Sequence, residues 1–343
     1  MTKGRSLARL ALGLVVVMCG ALTGRSGAQT GGYCTQTADT LLEACHASVM
    51  DDDAVGNAVC TNITDSKARQ TCFDDLAASQ VEANQLCDGQ HDTRLAACGV
   101  LGEDRYDPDF SPARFDNNPM RPSNPNPYFP LGVGKHWEYR SATQVDMVDV
   151  VNETKRIAGV DCIVVRDQVF EDGLIHEATD DWYVPAKDGS VWYFGEEVKD
   201  YETFKGDKPL RPELVKIDGS FKAGRDGAKP GIIALASPQV GDAYLEEFAL
   251  GNAEDVTEIL STTYSYGHDP VLDQGVPREL ARPFCAGNCV VTKNYSMLEP
   301  GLFARKYFAR GIGTILEVEN TGEVVQLVSC NFDNRCKNLP TPR

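Results

Sequence analysis

The chain has 343 residues and a formal net charge of −17, from 33 basic and 50 acidic side chains. So acidic a surface excludes nucleic acid and anionic membrane as partners, because both are held through basic patches. The length allows two domains, and 12 cysteines suit an oxidising compartment.

At the start, Lys3, Arg5 and Arg9 precede an apolar run from Leu10 to Leu22 and small residues including Ser26 and Ala28. This predicts a secretory signal peptide over residues 1–28, cut before Gln29, and a secreted protein, with a periplasmic location as the alternative. The run is short for a transmembrane helix, nothing later approaches that length, and Met18 before Cys19 is wrong for lipid attachment; no transmembrane segment is expected. Without residues 1–28 the net charge becomes −21.

Residues 29–105 lack proline and carry six cysteines, Cys34, Cys45, Cys60, Cys72, Cys87 and Cys98, arranged with mirror symmetry. Spacings of 11 and 15 residues, close to three and four turns, put the thiols of each half on one helical face. Six cysteines allow 15 pairings. Only 34–98, 45–87 and 60–72 keep every rung level in an antiparallel hairpin. One helix is predicted from the Thr64-Asp65-Ser66 cap to Asp104, and its partner over Thr35–Cys60 is expected to break near Asp51-Asp52-Asp53 and Gly56. The ladder resembles the twin-cysteine hairpins of coiled-coil-helix proteins, with longer gaps and more bridges. Residues 29–104 hold 13 acids against Lys67, Arg69 and Arg94, which suits a solvated spacer or docking arm.

Seven of the 25 residues from Tyr106 to Pro130 are proline, which predicts an extended linker over residues 106–130. Tyr128 and Phe129 at its end are expected to dock on the next domain. From Leu131 the apolar period shifts to 2, with turn signals at Asp172-Gly173, Asp188-Gly189, Asp218-Gly219 and Asn320-Thr321-Gly322. About eleven strands in a meander, and no helix, are expected over residues 131–336, followed by a flexible tail, 337–343. The fold class is α+β: a disulfide-linked helical hairpin, then a large antiparallel β meander curled into a half-barrel or sandwich.

The stretches Arg105-Tyr-Asp-Pro-Asp-Phe-Ser-Pro, Asn126-Pro-Tyr-Phe-Pro-Leu-Gly-Val-Gly-Lys-His-Trp-Glu-Tyr, Asp180-Asp-Trp-Tyr and Val191-Trp-Tyr-Phe-Gly-Glu-Glu resemble a group of secreted bacterial proteins with no activity attached to them. The resemblance spans most of the chain beyond the signal peptide. It implies secretion and a bacterial source, and adds no site.

No nucleophile elbow, paired-histidine zinc helix, phosphate loop or dinucleotide fingerprint occurs, and His46, His91, His136, His176 and His268 lack ligand spacing. Cys285 with Cys289 and Cys330 with Cys336 can close small disulfide loops, leaving Cys162, in the apolar run from Val160 to Val165, as a buried free thiol. Asp180, Asp181, Glu196 and Glu197 form an acidic group on one inferred hairpin; like charges facing each other there would call for a cation, and calcium is the candidate. Trp182, Tyr183, Trp192, Tyr193 and Phe194 place rings on both faces of the same hairpin, one set for the core and one for the linker or a ligand. The leading expectation is a non-catalytic binding protein that holds a small apolar or amphipathic ligand on its curled sheet. The alternatives are a structural or adhesive component whose hairpin docks a protein partner, and an extracellular hydrolase using carboxylates such as Asp181 and Glu197.

Overall fold

The computed structural model describes residues 32–342; the expected signal peptide lies outside the described residues. The chain divides between Arg105 and Tyr106 into a helical unit and a β unit.

In the helical unit, α1 (Tyr33–Thr61) and α2 (Ser66–Leu101) are joined by Cys34–Cys98, Cys45–Cys87 and Cys60–Cys72. Asp65 caps α2 by accepting from the Ala68 N–H at 2.8 Å. The expected break in α1 does not occur. Asp51 and Asp52 point to solvent, where like charges cost a helix little, and Gly56 marks a close approach: a Cβ there would collide with Leu76 of α2. Between the disulfides, polar pairs complete the ladder, with His91 Nε2 2.9 Å from Asp39 and His46 Nδ1 2.8 Å from Asn84 Oδ1.

The β unit contains fifteen strands among the described residues. They are β1 (His136–Arg140), β2 (Gln144–Ile157), β3 (Val160–Glu171), β4 (Leu174–Pro185), β5 (Val191–Glu202), β6 (Glu213–Lys216), β7 (Phe221–Lys222), β8 (Lys229–Ala234), β9 (Ala243–Leu245), β10 (Glu247–Phe248), β11 (Asp255–Ser265), β12 (Ala286–Ser296), β13 (Ala304–Ala309), β14 (Gly313–Glu319) and β15 (Val324–Cys330). The excess over eleven comes from strands of two to four residues, too short to show a period. A seven-residue helix absent from the sequence reading, α3 (Arg278–Phe284), buries Leu280, Ala281 and Phe284.

All pairings are antiparallel, and the order β10-β8-β5-β4-β3-β2-β1-β15-β14-β13-β12-β11-β9 curls the sheet into a nearly closed barrel. Residues 243–248 bring the two ends together: β9 pairs with β11, and β10, one residue later, pairs with β8. Gly231 makes this closure possible, since a Cβ there would run into the Glu246 carbonyl. Two further disulfides, Cys285–Cys289 and Cys330–Cys336, pin local turns, and Cys162 is a buried free cysteine whose thiol pKa is pushed far up by burial.

The proline-rich segment 106–130 is a strap laid on the β unit rather than a free spacer. Phe115, 2% exposed, packs edge-on against Trp192 and Phe194 at 5.9 and 5.4 Å between ring centres. Tyr106 donates to the Pro230 carbonyl at 2.8 Å, and Asn126 donates to the carbonyls of Gly189 and Leu235. Segment 337–342 is likewise no loose tail: Leu339 packs on the core and the Pro340 carbonyl accepts from Gln326. Phe115→Ala should lower the stability of the β unit by about 3 kcal/mol, because it empties a ring-lined slot that nothing else can fill. Chemical denaturation of the full chain measures this; a loss under about 1 kcal/mol would mean that the strap is not part of the core.

Candidate functional site

Strand alternation sorts the side chains of β3, β4 and β5 into two sets. Cys162, Val164, Trp182, Val184, Trp192 and Phe194 face outward and are roofed by Phe110 and Phe115 of the strap. Ile163, Val165, Tyr183, Val191 and Tyr193 face the barrel interior. Of the rings singled out from sequence, Trp192 and Phe194 are therefore under the strap, Trp182 on the same face carries Lys155 and Lys222 over its ring, and Tyr183 and Tyr193 point inward, stacked with ring centres 4.7 Å apart. The roof differs from the one expected. Phe129 packs on Tyr183 at 5.1 Å, while the Tyr128 hydroxyl donates to the Asn288 carbonyl at 3.0 Å.

The barrel holds a cavity of about 230 Å³ that is open to solvent on one side. One part of its wall is apolar and aromatic, from Phe129, Trp137, Tyr139, Tyr183, Phe308, Val148, Val150 and Val165. The other is ionisable: Asp146, Asp167, Asp181, Glu246 and Glu317 against a single base, Lys306. Lys306 is answered by Glu317, directly across from it in the β13–β14 ladder at 3.9 Å; that carboxylate, before all else, raises the lysine's pKa. Glu246 accepts from Thr257 at 2.5 Å and Asn294 at 2.8 Å, and burial nevertheless pushes its pKa up to about 7.

Asp146 and Asp167 are the central pair. Val148 opposes Asp167 across the β2–β3 ladder and Val169 opposes Asp146, so the two carboxyls are diagonal neighbours on one face. Each has an Oδ1 sealed from solvent with no donor outside the pair. Burial raises the pKa of both, the Asp146 charge pushes Asp167 well above the carboxylate range, and a hydrogen bond from Asp167 works against the rise at Asp146. A proton shared between two carboxyls follows, leaving the pair with about one negative charge.

The acidic hairpin residues divide in the same way. Asp181 is across from Glu196, and Asp180 from Glu197. Asp180 lies 2.9 Å from Arg166 and Glu197 2.6 Å from Lys199, so both are neutralised outside the cavity. Asp181 accepts from the Tyr193 hydroxyl at 2.5 Å; burial, with the Asp167 charge, raises its pKa to about 7, and burial, with the Asp181 charge, raises that of Glu196 to about 9. The facing like charges are thus relieved by protons. The four residues do not converge on one point, and Asp181 and Glu197, weighed as an acid and base, belong to opposite faces. Asp146 and Asp167 were not singled out from sequence, although one signal was present: each shares the parity of apolar neighbours, Asp146 with Val148 and Val150, Asp167 with Ile163 and Val165.

Among known proteins the chain matches no family, no curated sequence and no solved structure.

Proposed function

We propose that this is a secreted, non-catalytic binding protein that takes a small amphipathic ligand into the interior of its β barrel. The supporting observation is the two-sided wall of the cavity, with rings and valines on one part and carboxyls on the other. Binding pockets for small molecules have this composition, a mostly apolar lining with a few polar groups that fix orientation. The cavity suits a ligand of about ten non-hydrogen atoms, at roughly 20–30 Å³ for each buried group. The hairpin is assigned the role of a spacer, since its surface is polar and strongly acidic.

Native mass spectrometry of the protein from its own host provides the test. The wild-type chain is expected to carry an organic adduct removable by solvent, and Val150→Phe, which fills the cavity from β2, is expected to carry none. Bare polypeptide in both cases would remove the binding reading. One observation favours a second reading: two carboxyls sharing a proton can also act as acid and base, so turnover of an added ester or glycoside, lost in Asp167→Asn, would make the protein a hydrolase.

A further inference from the structure

We infer that the ligand is an organic ammonium compound, its N–H groups donating to Asp146 and Asp167 and its apolar body lying among the rings of the cavity wall. This rests on the binding reading and names the ligand class. Three observations carry it.

The first is an imbalance of charge. Five acids line the cavity with one base, and Lys306, the one cation that acts on Asp167, is already matched by Glu317, so the Asp146–Asp167 pair has no counter-ion of its own. The groups facing the pair make this worse: Glu177 and Asp181 from β4 and Glu317 from β14 are acids, and Lys306 is the one base among them. The second is an imbalance of hydrogen bonds. Asp146 and Asp167 both line the cavity and share a single proton, so the two carboxyls keep acceptors without donors, and buried acceptors without donors are costly enough that folded proteins rarely keep them. An ammonium head supplies both the missing positive charge and the missing N–H groups. The third is the wall beside the pair. Trp137, Tyr139 and Tyr183 line the same cavity, and aromatic faces attract ammonium groups while offering nothing comparable to a carboxylate or an alcohol.

A metal ion would answer the charge but not the geometry. Calcium gathers six to eight oxygens at about 2.3–2.6 Å. Among the described residues, the one group of three ligand atoms within 4.8 Å of one another is Cys34, Cys98 and Glu103, and its two sulfurs form a disulfide. No three barrel carboxylates come that close. Carboxyls spread over β2, β3 and β4 suit a head group that donates in several directions.

The test uses three probes of matched size, octylamine, 1-octanol and octanoate, titrated into the mature full-length chain by calorimetry, with Trp137 fluorescence as a second readout. Octylamine should bind at least about tenfold tighter than octanol, with octanoate weakest, because charge-assisted hydrogen bonds are roughly twice as strong as neutral ones. In the double variant Asp146→Asn, Asp167→Asn the amine should fall to the level of the alcohol, while Glu197→Gln, outside the cavity, changes nothing. The double variant removes like charges and keeps side-chain shape, so folding is favoured; should it fail to fold, the ranking of the three probes on the wild-type chain still decides. Equal affinity for all three would overturn the ammonium inference and leave the binding reading standing. Preference for octanoate would overturn it in favour of Lys306 as the anchor. Failure of all three to bind would remove both.

Discussion

Reduction is expected to abolish the helical signal of the hairpin while the β unit stays folded. Together α1 and α2 bury seven residues, Ala38, Val49, Cys60, Cys87, Arg94, Ala97 and Cys98, and three of these are disulfide cysteines. Large apolar side chains that would build a core in a longer bundle are turned to water instead, Met50 at 71% exposure and Val81 at 57% among them. Helices of this kind are marginal alone in water, so the cross-links carry the stability that packing does not. On the chain-entropy account, loops closed by separations of 64, 42 and 12 residues contribute about 4, 4 and 3 kcal/mol. The two disulfides of the β unit span only 4 and 6 residues, and a large core remains without them. Far-UV circular dichroism during titration with a thiol reductant should therefore show the helical band collapsing first, with near-UV tryptophan bands unchanged. Replacing both Cys45 and Cys87 by Ala should cost about 4 kcal/mol in the hairpin. A hairpin that stays helical when fully reduced would show that the polar pairs, His91 with Asp39 and His46 with Asn84, hold it instead.

How much of this was legible in sequence depended on whether the signal lay along the chain or across it. The hairpin could be read because cysteine spacing is a one-dimensional ruler, and the lack of α-helix in 106–130 because proline density is a local property, whereas the packing of that segment on the β unit could not. The two-faced ring pattern at Trp182-Tyr183 and Trp192-Tyr193 followed from alternation. Beyond that the period-2 rule failed at one residue. A bulge places Tyr183 across from Tyr193 but Asp181 across from Glu196, two steps on β4 against three on β5, so Tyr193 and Glu196 both face Asp181 despite their opposite parity. Gly195, at φ +125°, absorbs the extra residue, and its neighbours do not reveal that it does. The closure of the barrel was illegible for a related reason: it rests on β9 and β10, three and two residues long. The Asp146–Asp167 pair depends on the β2–β3 register, which residue order alone does not determine.

The second large effect is an unusual dependence of stability on pH. Most proteins lose stability in acid, because carboxylates paired in the folded state must be protonated. The barrel interior reverses this. Asp181 and Glu246 titrate at about 7 and Glu196 at about 9 in the folded chain, all raised first of all by burial, whereas in the unfolded chain they titrate near the ordinary carboxylate values. Between those limits the folded state holds protons that the unfolded state has released. Stability is therefore greatest near pH 4–5 and falls as the pH rises toward 9, by about 1.4 kcal/mol per pH unit for each group still within its window. Carboxylates such as Asp107 and Asp333, lowered by Lys229 and Arg335, act in the opposite sense only at lower pH, because they are ionised in both states above about pH 5. Thermal melting of the β unit should thus show its midpoint falling steadily from pH 5 to pH 9. Glu196→Gln supplies permanently the neutral form that the fold prefers, so it should raise the midpoint by about 10–20 °C at pH 9 and hardly at all at pH 5. A midpoint independent of pH across that range would mean that these carboxyls are solvated and ionised in the folded protein. Octylamine at saturation should flatten the same profile, because a bound ammonium lowers the cost of ionising carboxyls that burial otherwise keeps protonated.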